Sequence, residues 1–325
     1  MALILTILLV IASIFILIKS ADYLVDGSSG VARIFRISPI MIGLTIVAFG
    51  TSLPELIVAL FSALGGSSDI SLGTIIGSNI TNITFGIGIC AIITTLRIKS
   101  KTLIYELPFL LVSTFLLLIL ANDRFIFNTE RFFLGRLDGL IFLTIFAVFI
   151  FYIYKSMRED QKSVKEQFKE SLDEKNPRWK NAALITGGII GLFVGGKLFV
   201  ASASDLAIGA GLSEVFIGLT IAAIGTSLPE LITSIVAAVK GSGDMAIGNL
   251  VGSDIFNILF ALGFTTLIKP ISINPAVLAI DGIVLLFVTL LFLLFSTSKQ
   301  EISRWEGSSM VLVYIAYFTF LVWRL

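Results

Sequence analysis

Apolar residues follow one another along this chain in long runs, and the polar residues collect between them. The runs lie at roughly 2–21, 39–64, 70–95, 103–121, 137–155, 181–204, 212–239, 244–268, 276–296 and 308–324. Each is near the roughly twenty residues that a helix needs to cross the hydrocarbon of a bilayer. The pattern therefore predicts an all-α polytopic protein with ten transmembrane helices. Several runs carry internal Gly and Pro, which blur their ends by a few residues.

Composition fixes the solvent in which this pattern must be read. Of 325 residues, 56% are hydrophobic and 14% charged, and mean hydropathy is +1.01. A water-soluble domain of that make-up has too few polar groups to cover its surface. The first run has no basic segment ahead of it and flows into KSADYLVDGSSG without a cleavage site, which predicts a retained helix rather than a signal peptide. The single cysteine, Cys90, sits in an apolar run and rules out a disulfide framework. A net charge of +1 with no basic, aromatic-laced stripe gives no sign of nucleic acid.

Lys and Arg set the orientation. With the N-terminus outside, the cytoplasmic segments collect Lys19, Arg33, Arg36, Arg97, Lys99, Lys101, the group from Lys155 to Lys180, Lys240, Lys299 and Arg304. The outer loops keep Arg124, Arg131, Arg136, Lys269 and Arg324. That bias follows the positive-inside rule. The long polar segment at 155–181 then lies in the cytoplasm, where its mixed charges suit a short solvated helix.

The same segment divides a repeat. Residues 43–88 lie on 218–263 without a gap, at an offset of 175 and with about half the positions identical. Each copy belongs to a unit of five spans. Because five is odd, the second unit enters the membrane in the opposite sense, the inverted repeat of many secondary transporters, whose site lies between the repeats near the midplane. The expected organisation is a first five-helix repeat at 1–154, a cytoplasmic linker at 155–181, and a second, inverted repeat at 182–325.

Both copies contain GTSLPEL, at 50–56 and 225–231. Pro54 lacks an N–H and crowds the carbonyl of Gly50; Pro229 does the same to Gly225. The loosened turns expose carbonyls that lipid cannot satisfy. Ala48, Thr51, Ser52 and Glu55 stand at i, i+3, i+4 and i+7, as do Ala223, Thr226, Ser227 and Glu230, so each set presents oxygens along one helix face. A carboxylate at mid-membrane costs about 2.5–3.5 kcal/mol and persists where it has a task. Two such acids facing each other balance one divalent or two monovalent cations, and with hydroxyls and carbonyls they can furnish the flexible oxygen shell that calcium accepts. Farther along, GSNITN at 77–82 and GSDIFN at 252–257 place Ser78 with Asn82, and Ser253 with Asn257, at i and i+4. Interhelical hydrogen bonding is the other use of those four residues. Asp254 breaks the symmetry, since Asn79 is its counterpart, and its role is open.

The doubled GTSLPEL and the paired GSN/GSD segments resemble the calcium/cation antiporter superfamily, most closely the prokaryotic sodium/calcium exchangers, over essentially the whole chain. The resemblance implies a central calcium site using Glu55 and Glu230 with the backbone carbonyls of Thr51 and Thr226. It also implies flanking sodium sites at Ala48, Ser52, Ser78, Ala223, Ser227 and Ser253, with Asn82 and Asn257 completing the cluster. One departure stands out: members of the family carry Asp where this chain has Asn257, which bears on the number of sodium ions and leaves room for proton coupling.

The expected activity is that of a secondary-active antiporter exchanging sodium for calcium by alternating access. The alternative is a proton-coupled exchanger of calcium or another divalent cation. Transported calcium and sodium are the expected ligands, with no prosthetic group and no partner beyond these ions and the bilayer. A monomer in the cell membrane is expected, and no enzyme: the chain has no histidine to activate a serine, and GGKLF at 195–199 lacks Walker spacing. A channel differs by flux independent of a counter-ion. The helices at 2–21 and 181–204, the latter carrying Gly187, Gly188, Gly191, Gly195 and Gly196, are expected to slide against the core.

Overall fold

A backbone in lipid must satisfy its own N–H and C=O groups, and long apolar runs do so as helices. In the computed structural model, which describes residues 2–98, 102–122, 132–167, 177–209, 223–298 and 300–324, they become ten helical elements. These are α1 (Ala2–Phe35), α2 (Pro39–Thr51, then Leu53–Leu64), α3 (Ser68–Ile93), α4 (Ile104–Leu120) and α5 (Arg136–Gln167), followed by α6 (Arg178–Gly209), α7 (Ala223–Val239), α8 (Gly243–Ile268), α9 (Pro275–Thr297) and α10 (Arg304–Arg324). Seven are long and apolar enough to cross a membrane, and the bent α2 makes an eighth. α4 and the described part of α7 are shorter, and the start of the run at 212–239 lies outside the described residues.

Two helices run past their apolar runs. α1 continues to Phe35 because one face of its polar stretch is packed inside the protein: Ser20, Ala21, Leu24, Val25 and Ser28 are buried. α5 continues through residue 154 to Gln167, so the polar segment begins as helix.

The core belongs to α3 and α8, whose central windows are 78% buried, against 17% in α1 and 22% in α6. α1 and α6 lie together at the periphery. Their contact is backbone-close: a Cβ at Gly188 would stand 2.8 Å from the Ser20 carbonyl, and one at Gly195 would meet Ile16 and Leu17. The glycine stripe of α6 faces α1 more than the core. Gly188, Gly191 and Gly195 seat α6 on α1, which ties the two helices to each other, and of the five only Gly196 faces a core element, the Gly225 carbonyl.

The contacts follow a pseudo-two-fold. Gly139 on α5 abuts the Gly263 carbonyl of α8, and Gly307 on α10 abuts the Gly88 carbonyl of α3, a Cβ at either standing 2.7 Å away. Gly88 and Gly263 are separated by the offset of the sequence repeat. α5 and α10 also begin alike: Asp138 accepts from the Gly135 N–H at 2.7 Å, and Glu306 from the Ser303 N–H at 2.7 Å. Four two-residue strands that hydropathy does not reveal follow the same rule. β1 (Leu96–Arg97) pairs antiparallel with β4 (Glu301–Ile302), and β2 (Phe133–Leu134) with β3 (Ile271–Ser272), each pair joining one half of the chain to the other.

Candidate cation site

The first GTSLPEL bends α2 by 43°, with Ser52 at φ −85°, ψ 6° between the two segments. Pro54 supplies no N–H, and Thr51 Oγ1 turns back on the carbonyls of Val47 (3.1 Å) and Ala48 (3.3 Å). The second copy differs. α7 is helical from Ala223 through Pro229 to Val239, so the loosened turn expected there is not a break. Nearby, α3 and α8 each widen into a turn of i→i+5 bonding, at Asn82–Gly86 and Phe256–Leu262. Such widenings gather at functional sites, and here they contain Asn82 and Asn257.

Glu55 and Glu230 are fully buried, and each is met by the serine of the other copy. Ser52 Oγ donates to Glu230 Oε1 at 2.8 Å; Ser227 Oγ lies 3.4 Å from Glu55 Oε1 and donates to Ser78 Oγ at 2.8 Å, and Ser78 in turn reaches Glu55 Oε1 at 3.3 Å. Asn257 Nδ2 donates to Asn79 Oδ1 at 3.1 Å and approaches Ser78 Oγ at 3.5 Å. Asn82 Nδ2 donates to Asp254 Oδ1 at 3.0 Å. One connected cluster thus holds Glu55, Ser78, Ser227 and Asn257 and extends through Asn79 and Asp254 to Asn82, while Ser52 and Glu230 pair beside it across the same interface.

The remaining expected residues take separate places. Ala48 is buried one turn before Ser52, whose N–H donates to its carbonyl at 3.0 Å. Thr51 Oγ1 reaches Asn249 Oδ1 at 3.2 Å. Ser253 is buried on α8, Thr226 lines the main cavity, and Ala223 opens α7.

Three residues join the site without having been expected in it. Asn249 donates to the Glu230 carbonyl at 3.2 Å and to Ser234 Oγ at 2.9 Å. Asn79 donates to the Asp254 carbonyl at 3.1 Å, and Asp254 itself is fully buried against Asn82. The repeat match hides Asn249, since its counterpart is Thr74, which hydrogen-bonds within its own helix. An acid in an apolar run is the signal that marks Asp254.

Six buried oxygens in this region have no hydrogen-bond partner: Glu55 Oε2, Glu230 Oε2, Asp254 Oδ2, Asn82 Oδ1, Asn257 Oδ1 and Ser253 Oγ. Buried acceptors without donors are costly unless something positive meets them. Among the described residues no Lys or Arg forms an ion pair with the three acids. Nor do three or more acids there gather closely enough to hold a metal by themselves, so a cation would be held by carboxylates mixed with amide and hydroxyl oxygens.

A cavity of about 940 Å³ leads to the site from one side. Its mouth holds Asp69, Asp281, Tyr317 and Arg324, and its floor reaches Pro54, Ser78 and Thr226. The equivalent place on the other side is a pocket of about 370 Å³ lined by Leu44, Phe49, Phe146, Phe149 and Phe256. There Phe256 packs edge-to-face with Phe49 at 5.1 Å and Phe146 at 5.9 Å between ring centroids. Beyond it, Lys240 holds Asp22 at 2.5 Å and Asp26 at 2.7 Å, fastening α1 to the end of α7. Partial burial pulls the Lys240 ammonium down, and the two carboxylates outweigh it and hold its pKa above the ordinary value.

Residues 5–155 and 180–323 match the family model described as sodium/calcium exchanger protein. The inner membrane protein YrbG of Escherichia coli K12 is 34% identical over 325 residues, covering 97% of this chain and 96% of its own. The sodium/calcium exchanger MaX1 of Methanosarcina acetivorans is 30% identical over 339 residues, covering 95% and 96%. Among solved structures, the sodium-calcium exchanger NCX_Mj superposes with a TM-score of 0.82 at 30% identity, over 98% of this chain and 99% of that one.

Proposed function

The chain belongs to the sodium/calcium exchanger protein family, and from that premise we propose that it exchanges sodium for calcium across the membrane by alternating access. The observation that carries this reading is the set of buried oxygens left without donors around two acids from the two repeats. Calcium takes six to eight oxygens in flexible geometry, and Glu55 and Glu230 supply the charge that balances it. Sodium competes for the same acids. The two ions are then carried alternately, which makes the protein an antiporter and not a channel.

The larger cavity supports access from the outside. Its mouth lies at the α2–α3 turn, the start of α9 and the end of α10, which the Lys and Arg distribution assigns to the outside. This is an outward-facing arrangement. In the alternate state the apolar pocket beside Phe256 becomes the inner route.

Calcium uptake into sodium-loaded vesicles containing the purified protein tests the reading. Glu55→Gln and Glu230→Gln each leave half the divalent charge unbalanced, and each should weaken calcium binding at least a hundredfold, about 2.7 kcal/mol. Uptake near the native rate in either variant would remove the central claim. Uptake driven by a pH gradient without sodium would replace sodium by protons as the coupling ion.

A further inference from the structure

Asp254 stands outside the symmetric pattern of the site. Glu55 has its twin in Glu230, but the position that matches Asp254 is Asn79. The two residues nevertheless meet, since Asn79 Nδ2 donates to the Asp254 carbonyl at 3.1 Å. That bond fixes the Asn79 amide, and its oxygen then accepts from Asn257 Nδ2 at 3.1 Å. Asp254 Oδ1 likewise takes the Asn82 Nδ2 donor at 3.0 Å. An asparagine whose nitrogen is held in this way turns its oxygen the other way. Asn82 Oδ1 and Asn257 Oδ1 are both buried and unpartnered, as is the second Asp254 oxygen.

From this arrangement we propose that Asp254 is the anionic ligand of a separate sodium ion beside the central pair, and that it also orients Asn82 and Asn257 so that their oxygens face the cations. The position is distinct because Asp254 bonds with Asn79 and Asn82, whereas the side chains of Glu55 and Glu230 meet Ser78, Ser227 and Ser52. Candidate ligands are Asp254 Oδ2 and Asn82 Oδ1, the free oxygens of a hydrogen-bonded pair, with Ser253 Oγ next in the chain, all buried and without donors. A hard monovalent cation suits oxygens of one charged and two neutral groups. The inference rests on the exchange reading and sharpens it. Three buried carboxylates are neutralised by three sodium ions, or by one calcium with one negative charge left over. Exchange then moves one net charge per cycle.

Two measurements test this independently. In reconstituted vesicles under imposed potassium–valinomycin potentials, one net charge shifts the equilibrium calcium gradient about fiftyfold per 100 mV. The native protein should show that shift. Asp254→Asn should reduce it to under about threefold in the sodium-driven calcium uptake that the variant retains, at whatever rate. With purified protein, sodium ions bound in the folded state raise the melting temperature in proportion to their number, and Asp254→Asn should lose about a third of the slope against the logarithm of sodium concentration. Retention by the variant of either the native potential dependence or the native slope overturns the proposal. A native protein that performs no sodium-driven uptake sinks the exchange reading instead, and the melting series still decides for or against the sodium position. Should Asp254→Asn not fold, Asp254→Ser, which can still accept from Asn82, carries the same two measurements.

Discussion

The two cavities occupy equivalent places in the two halves and differ in what closes them. On the open side, Thr81 and Ile224 stand where the closed side has Phe256 and Phe49, and Tyr314 where it has Phe146. The open cavity holds about 940 Å³ and touches Ser78 and Thr226; the closed one holds about 370 Å³ of apolar space. The clamp is also one-sided, because Lys240, which fastens α1 to α7, corresponds to Gly65. The buried pair Glu55 and Glu230, proposed to hold the ions, is two-fold related, while the residues closing the two cavities are not. Residues that bind ions are constrained by the cargo, which is the same from either side. Residues that gate are free to set how readily each side opens.

Three experiments press on this comparison. The largest effect is expected from Phe256→Thr, which gives the closed side the residue of the open side. Removing the buried ring should cost the outward-facing state about 2 kcal/mol, a shift of about thirtyfold toward the other state. Trapping the state by thiol labelling reads that shift.

The next concerns access. With Cys90, itself buried, replaced by alanine, a cysteine at Thr74 in the open cavity should react with an impermeant thiol reagent from outside at least ten times faster than one at Thr45 in the closed pocket. Equal rates would mean that the two cavities do not report opposite sides. In the Phe256→Thr background the gap should narrow.

Lys240→Ala should have the smallest effect. Its carboxylate partners are a third or more exposed, and water screens them. A shift of about 0.5 kcal/mol toward the inward-facing state is expected, about twofold in the Thr45 labelling rate. High salt should reduce the native protein to the same level.

How far the sequence disclosed all this depends on the kind of force involved. The ten apolar runs became ten helical elements because lipid leaves a backbone no other choice. Their ends were harder to read, since α1 continues to Phe35 past its apolar run, with Ser20 and Ser28 buried on its inner face and Gly191 of α6 against Ser20. The residues that meet in the candidate site were legible where the repeat wrote them twice. Asn249 was not, because a side chain used in one half leaves no echo. The bend at Ser52 and its absence at Pro229 also escaped a local rule, because the same motif meets different neighbours: Ile189 of α6 crowds Gly50, and Val200 of the same helix crowds Gly225.

The crossed strand pairs have a consequence for how such a chain comes together. A polypeptide ending near the middle would leave β1 and β2 with bare edges. The Gly139 face of α5 would have nothing to cover it. Every missing surface is present on a second copy of the same half. The full chain is in this sense a dimer written as one molecule. Because β4 and α10 follow all the other described elements, the first half stays unfinished until they have been made and α10 can cover α3.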